Sequence, residues 1–172
     1  MDEHEVAGER RERQGAQPPA EAEEDGDDER RTVFREEVKA GERNQAPRRD
    51  AAPTDVPWRQ VVTPDPVVLF RYSALTFNSH RIHYDRAWAM DVEGYPGLVV
   101  HGPLTTTLLI DFARDRNPGR RVAAYTTQAR APLFDTAPFE LRGRPAANGG
   151  GCELWAVTPE GTIAMSAEVE LA

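Results

Sequence analysis

Three histidines close together in the chain are the residues best suited to chemistry. His80, His83 and His101 lie within 22 positions of one another, in a stretch rich in loop-forming residues. An imidazole has an ordinary pKa near neutrality, so it can accept a proton and return it at neutral pH. A histidine can equally be a hydrogen-bonded structural residue. The residue types alone therefore indicate a candidate site without ranking its members.

A metal site is the second chemistry that these histidines suggest. His80 and His83 are three residues apart, a spacing that also occurs among metal ligands, and Asp85 or His101 would be the third ligand. Catalytic zinc normally takes three protein ligands, and two imidazoles without a well-spaced carboxylate or thiolate are a weak signal. Cys152 is the only cysteine, which excludes a thiolate cluster and an intramolecular disulfide. We expect no metal here.

The segment that follows His101 is predicted to be a helix. Gly102 precedes a proline in the favoured first position, and Asn117-Pro118-Gly119 ends the pattern. Leu104, Leu108 and Phe112 share one face, and further apolar residues widen it. This helix is expected to be largely buried. A shorter helix, from Asp85 to Val92, is predicted before it.

The end of the chain is predicted to be β-structure. Turn-forming residues separate four strands, from Val122 to Arg130, Phe139 to Pro145, Cys152 to Thr158 and Thr162 to Leu171. The last strand alternates apolar with polar or small residues, which places one face on a core. Antiparallel strands after one buried helix indicate an α+β fold, with the sheet wrapped around a central helix.

The first third of the chain differs sharply from the rest. Residues 1–57 hold 10 basic and 17 acidic residues and one aromatic residue, Phe34, so they carry −7 of the overall −8 charge. Such a segment lacks the apolar area to offset its ordering entropy. We predict a disordered acidic leader over residues 1–57, with a short strand over residues 30–38 if it finds a partner. The folded domain is expected over residues 58–172.

Composition also limits the partners and the compartment. The only strongly charged segment is acidic, whereas binding to nucleic acid needs a basic face. No apolar run approaches the ~18 residues of a membrane-spanning helix, and the first residues lack the apolar stretch of a secretory signal. We expect a cytoplasmic protein that binds neither nucleic acid nor membranes.

Two long motifs resemble a known family. Residues 69–88, LFRYSALTFNSHRIHYDRAW, and residues 93–109, EGYPGLVVHGPLTTTLL, are similar to MaoC-like hydratases and dehydratases. The similarity is to the branch of mesaconyl-CoA hydratase and mitochondrial 3-hydroxyacyl-thioester dehydratase. It implies a hotdog fold and reversible addition of water to an enoyl thioester. The substrate would be carried by coenzyme A or acyl carrier protein, with no other cofactor.

The family motif ranks the candidate residues. In its pattern G-D-x-N-P-x-H, Asn78 occupies the place of the aspartate and His83 that of the histidine. The resemblance implies that His83 is the catalytic base and that the Asn78 amide orients water, since an amide cannot accept the proton. At the following helix start, the N–H groups of Gly102 and Leu104 would hold the thioester oxygen. His101 is predicted either to bind substrate or to be a structural residue at the helix entry.

The resemblance also implies a partner. Proteins of this branch usually carry two hotdog repeats, and this sequence matches the second repeat and the join before it. We therefore expect a homodimer or a heterodimer with another hotdog subunit, which would cover the exposed sheet edge and complete the acyl channel. The alternatives are a non-catalytic acyl-CoA-binding subunit and a thioesterase; the latter would need a carboxylate where Asn78 stands.

Overall fold

A five-stranded antiparallel sheet packs against one long helix. The computed structural model describes residues 50–172, and its elements are β1 (Trp58–Val62), α1 (Pro66–Leu75), α2 (Gly102–Arg116), β2 (Val122–Ala129), β3 (Phe139–Pro145), β4 (Gly151–Val157) and β5 (Ile163–Leu171). The strand order is β1-β3-β4-β5-β2, and every pair is antiparallel. This is the predicted hotdog arrangement, with α2 as the central helix.

Helix α2 supplies one side of the core. Leu109, Phe112 and Ala113 are at most 1% exposed and belong to one cluster with buried residues of β3, β4 and β5. Burial of a leucine or phenylalanine side chain contributes roughly 2–3 kcal/mol, so this face holds the helix on the sheet. The opposite face carries Thr107 and Asp111 and is open to solvent. The sequence predicted a largely buried helix, and the structure shows one exposed face. Thr107 and Asp111 are four residues apart, so these two polar residues lie on the same side of the helix and leave it in contact with solvent.

The four predicted strands match the observed ones to within one residue at each end, but two elements were not predicted. Strand β1 pairs with β3, placing Trp58 opposite Gly143. Helix α1 begins where the Asp65 side chain accepts a hydrogen bond from the backbone N–H of Val67 at 2.7 Å, with Pro66 at its start. Among residues 50–172, no helix combines the length and apolarity needed to cross a bilayer.

The chain between α1 and α2 carries most of the candidate site. It forms a short 3₁₀ turn, Arg81–His83, and then a π-helical turn, Trp88–Val92, within the predicted short helix. Residues 98–100 then lie alongside residues 133–135. Val100 N–H donates to Leu133 O at 2.8 Å, and Leu98 N–H donates to the Asp135 carboxylate at 2.8 Å. These hydrogen bonds hold the chain in place just before α2 begins.

Residues just before Trp58 also pack on the sheet. Ala52 is 6% exposed and its N–H donates to Gly161 O at 2.9 Å. The nearly buried Arg142 guanidinium donates to Pro53 O at 3.1 Å. Residues 50–57, assigned from composition to the leader, are therefore held against the folded domain. The rest of the predicted leader, including the predicted strand over residues 30–38, lies outside the described residues.

Candidate active site

A hydrogen bond to a main-chain carbonyl fixes the tautomer of the His83 imidazole. His83 ends the 3₁₀ turn and is 8% exposed, and its Nδ1 lies 2.7 Å from Val99 O. A carbonyl oxygen only accepts hydrogen bonds, so Nδ1 carries the proton and Nε2 of the neutral ring has a free lone pair. Val99 in turn donates its N–H to Ile82 O at 3.0 Å. Nε2 has no hydrogen-bond partner among residues 50–172, so its lone pair is available to act as a base.

His101 lies directly behind His83. Their rings stack with centroids 3.8 Å apart and planes 16° apart, and His101 has no exposed surface. Its Nε2 is 2.8 Å from the Ser73 hydroxyl, whereas its buried Nδ1 has no hydrogen-bond partner among residues 50–172. The predicted substrate contact by His101 would require the site to open. In this structure the ring supports His83.

Both rings are kept neutral by their surroundings. Burial lowers the pKa of His83; the hydrogen bond to Val99 opposes this and the nearby His80 adds to it. Burial, reinforced by the neighbouring His83, lowers the pKa of His101 to about 4. At neutral pH both imidazoles are uncharged, as general base catalysis by His83 requires.

Asn78 is fixed at the end of α1. Its N–H donates to Ser73 O at 2.9 Å, and its side-chain oxygen accepts the N–H of His80 at 2.9 Å. Phe77, just before it, has a φ of 52°, in the left-handed region that non-glycine residues seldom adopt. One lone pair of the Asn78 oxygen is used by this bond, and the side-chain N–H₂, which has no partner among residues 50–172, could bind a water molecule as a donor.

A cleft of about 380 Å³ opens beside Asn78. It is lined by the end of α1 and the loop after it, through Phe70, Ser73, Ala74, Phe77, Asn78, Ser79 and Tyr84. Among residues 50–172, no charged side chain contributes to this lining. His83, His101 and Gly102 do not line it either, so the cleft adjoins the histidine pair without containing it.

Gly102 and Leu104 lie in the first turn of α2. Gly102 begins α2, it is exposed, and a Cβ placed on it would meet no atom within 4 Å. The Leu104 side chain is half-buried against the core. The first N–H groups of a helix have no partner within it, and among residues 50–172 neither of these two N–H groups bonds elsewhere. Open space at Gly102 would admit a ligand oxygen close to the backbone.

The arrangement of the histidine rings bears on the alternative of a metal site. The rings of His80 and His83 meet edge to face with centroids 5.6 Å apart, while His101 stacks flat on His83. Within the described part of the chain, no three His, Cys, Asp or Glu side chains are grouped to hold a metal ion. The side chain of Asp85 instead pairs with Arg81 and accepts the N–H of Trp88.

Two residues of the site were missed in the sequence. Ser73 contacts both His101 and Asn78, and Val99 orients His83. Val99 acts through its carbonyl, which any residue would supply, so its type carried no signal. Ser73 could have been found only by first recognising α1, for which the N-cap sequence Asp65-Pro66 was the available signal.

Comparison with known proteins shows the family of the chain. The model of the family hydroxyacyl-thioester dehydratase type 2 matches residues 4–135. Mesaconyl-C(4)-CoA hydratase of Chloroflexus aurantiacus is 54% identical over 112 residues, which are 65% of this chain and 39% of that protein. The mitochondrial hydroxyacyl-thioester dehydratase type 2 of Schizosaccharomyces pombe is 36% identical over 83 residues, 47% of this chain and 28% of that protein. The chain therefore spans about two fifths or less of these relatives.

Solved structures show the same fold at low sequence identity. The (R)-hydratase from A. caviae involved in PHA biosynthesis has a TM-score of 0.57 at 16% identity, covering 66% of this chain and 91% of that one. A chain of the ChsH1-ChsH2 complex from Mycobacterium tuberculosis has a TM-score of 0.58 at 19% identity, covering 70% and 98%. With its hotdog sheet, its central helix and a family match over most of its length, the chain belongs to the hydroxyacyl-thioester dehydratase type 2 family.

Proposed function

We propose that this protein is a hydro-lyase that reversibly adds water to the double bond of an enoyl thioester. The observation that carries the proposal is the state of His83. Its Nδ1 proton is committed to Val99 O, its Nε2 has no hydrogen-bond partner among residues 50–172, and burial lowers the pKa of the ring, which favours the neutral form. A neutral imidazole with one free nitrogen can take a proton from water and later return it.

The proposed mechanism uses three groups. The Asn78 side-chain N–H donates to the water oxygen, and His83 Nε2 accepts a water proton as that oxygen bonds to the β-carbon. Negative charge develops on the thioester oxygen, where the N–H groups of Gly102 and Leu104 stabilise it at the positive end of α2. The proton held by His83 then passes to the α-carbon. Dehydration runs the same steps in reverse.

The cleft beside Asn78 is the proposed site of the acyl chain. The described residues that line it include two phenylalanines and a tyrosine and no charged side chain, which suits an uncharged acyl group. The thioester would then lie between this cleft and the exposed start of α2. The carrier is proposed to be coenzyme A or acyl carrier protein, with no further cofactor, and the compartment is proposed to be the cytoplasm.

The proposed partner is a second hotdog unit, in another copy of this chain or in a separate subunit. Among residues 50–172, strand β2 is an edge of the sheet, eight residues long and without a charged side chain, and Tyr125 on it is 51% exposed. An uncovered edge of this kind favours pairing with another strand. The opposite edge, β1, is shorter and carries Arg59, which pairs with Glu140.

The test is a hydration assay of the purified full chain against enoyl thioesters of coenzyme A and of acyl carrier protein. We expect turnover with the wild type, and His83→Ala should lower kcat by about 100-fold or more with little change in substrate affinity. Asn78→Ala should cost less, since it only places water.

His80→Ala is the matched control, because His80 is exposed and has no assigned step. A fully active His83→Ala variant would refute the mechanism. Binding of thioesters without turnover, alone and with a second hotdog protein present, would favour a non-catalytic acyl-CoA-binding subunit. Release of free thiol would favour a thioesterase.

A further inference from the structure

Ser73 is a buried residue of α1 that contacts two parts of the site at once. It is 4% exposed, and its hydroxyl lies 2.8 Å from Nε2 of His101. Its carbonyl accepts the N–H of Asn78 at 2.9 Å. A single residue thus links the ring that supports the base to the loop that would hold the water.

The His101 ring has few contacts that could fix its orientation. It is fully buried, it stacks on His83 at 3.8 Å, and its Nδ1 has no hydrogen-bond partner among the described residues. The Ser73 hydroxyl is therefore the only hydrogen-bond partner of the ring in residues 50–172. Stacking on His83 constrains the plane of the ring but does not decide which nitrogen faces Ser73. The hydrogen bond makes that choice.

We propose that Ser73 is a positioning residue, which fixes the orientation of the His101 ring and thereby the surface against which His83 rests. Its hydroxyl acts on His101 and its carbonyl anchors the Asn78 loop, so both halves of the site depend on where α1 lies. The activity readouts of this proposal rest on the proposed hydratase function, whereas the state of the His101 ring does not.

The loss of the hydroxyl has a defined consequence. In Ser73→Ala both ring nitrogens of His101 would lack a partner, the ring could turn over, and His83 would lose a fixed support. Small displacements of catalytic groups are known to cost rate more than affinity. The backbone contact with Asn78 would persist, because alanine keeps the carbonyl and favours the helix. The expected effect therefore appears in the chemical step.

The experiment combines kinetics of three full-length variants with ¹⁵N NMR of the histidine rings. We expect Ser73→Ala to lower kcat by about 10-fold with KM within about twofold. Ser73→Thr keeps the hydroxyl and should restore most of kcat. Ser166→Ala, a serine in β5 away from the histidines, is the matched control and should leave kcat unchanged. At neutral pH the His101 ring of the wild type should give one set of ¹⁵N signals, because its orientation is fixed, and that of Ser73→Ala should give two sets or exchange-broadened signals.

Three results would overturn the proposal. They are a Ser73→Ala variant within twofold of wild-type kcat, equal losses in Ser73→Ala and Ser73→Thr, and more than one set of His101 ring signals in the wild type. The last result needs no variant to fold. If the wild type turns over no enoyl thioester, the proposed function fails, while the NMR comparison still decides whether Ser73 fixes His101.

Discussion

Acid should destabilise this protein through the buried ring of His101. Burial lowers the pKa of His101 from its ordinary value of 6.5 to about 4. As pH falls, the unfolded chain therefore takes up a proton on this ring before the folded chain does. Protonation then favours the unfolded state, so the contribution is complete at neutral pH and is lost from about pH 6.5 down to about pH 4.

The size of the effect follows from the two pKa values. Each unit of difference corresponds to ~1.4 kcal/mol once both forms have titrated. Between about pH 7 and about pH 5 the unfolded chain gains roughly 2 kcal/mol relative to the folded chain from this one residue. That is a large part of the stability of a small domain, which is typically about 5–15 kcal/mol.

Urea unfolding at these two pH values measures the effect. The free energy of unfolding should fall by about 2 kcal/mol more in the wild type than in His101→Gln, which cannot titrate. Thr105→Ala is the control, because Thr105 is buried beside His101 and donates to its carbonyl, but the change leaves the imidazole in place. Its pH dependence should follow the wild type. Equal pH dependence in the wild type and His101→Gln would show that His101 does not resist protonation.

Three further predictions concern catalysis, the core and assembly. Because burial lowers the pKa of His83, the acid limb of the kcat/KM profile should lie below pH 6.5; an acid limb above that value would contradict the base assignment. Leu109→Ala should lower the free energy of unfolding by about 2–5 kcal/mol, whereas Leu75→Ala, at a position 80% exposed, should change it by about 0.5 kcal/mol or less. Light scattering should find an assembly larger than one chain. Tyr125→Lys should weaken this assembly, whereas Val61→Lys, on the other edge strand, should not. Equal effects of the two variants would place the interface elsewhere.

Local chemistry explains why α2 and the later strands could be predicted. Gly102-Pro103 and Asn117 to Gly119 mark the ends of α2. The turns between β3 and β4 and between β4 and β5 contain Gly149 and Gly161, which adopt φ values of 71° and 80°. These signals lie within a few residues of the structure they determine.

The contacts that complete the site could not be predicted in the same way. Helix α1 has exposed apolar residues such as Phe70 and Leu75, so it shows no clear amphipathic pattern. The stacking of His101 on His83 joins residues 18 positions apart, and the bond from Ser73 to His101 joins residues 28 apart. Such pairs depend on how α1, the 3₁₀ turn and α2 come together. The family motif singled out His83 and Asn78 as candidates but indicated no hydrogen-bond partner for either.

The hydrogen bond that orients His83 is made by a main-chain atom, and this determines which substitutions are tolerated at the neighbouring positions. Val99 offers its carbonyl to the ring and its N–H to Ile82, while the side chains at both positions only fill space. Any apolar pair of similar volume that preserves the backbone path would orient the imidazole equally well. Positions 82 and 99 are thus open to neutral replacement, and a library randomised there over apolar residues should retain most active members.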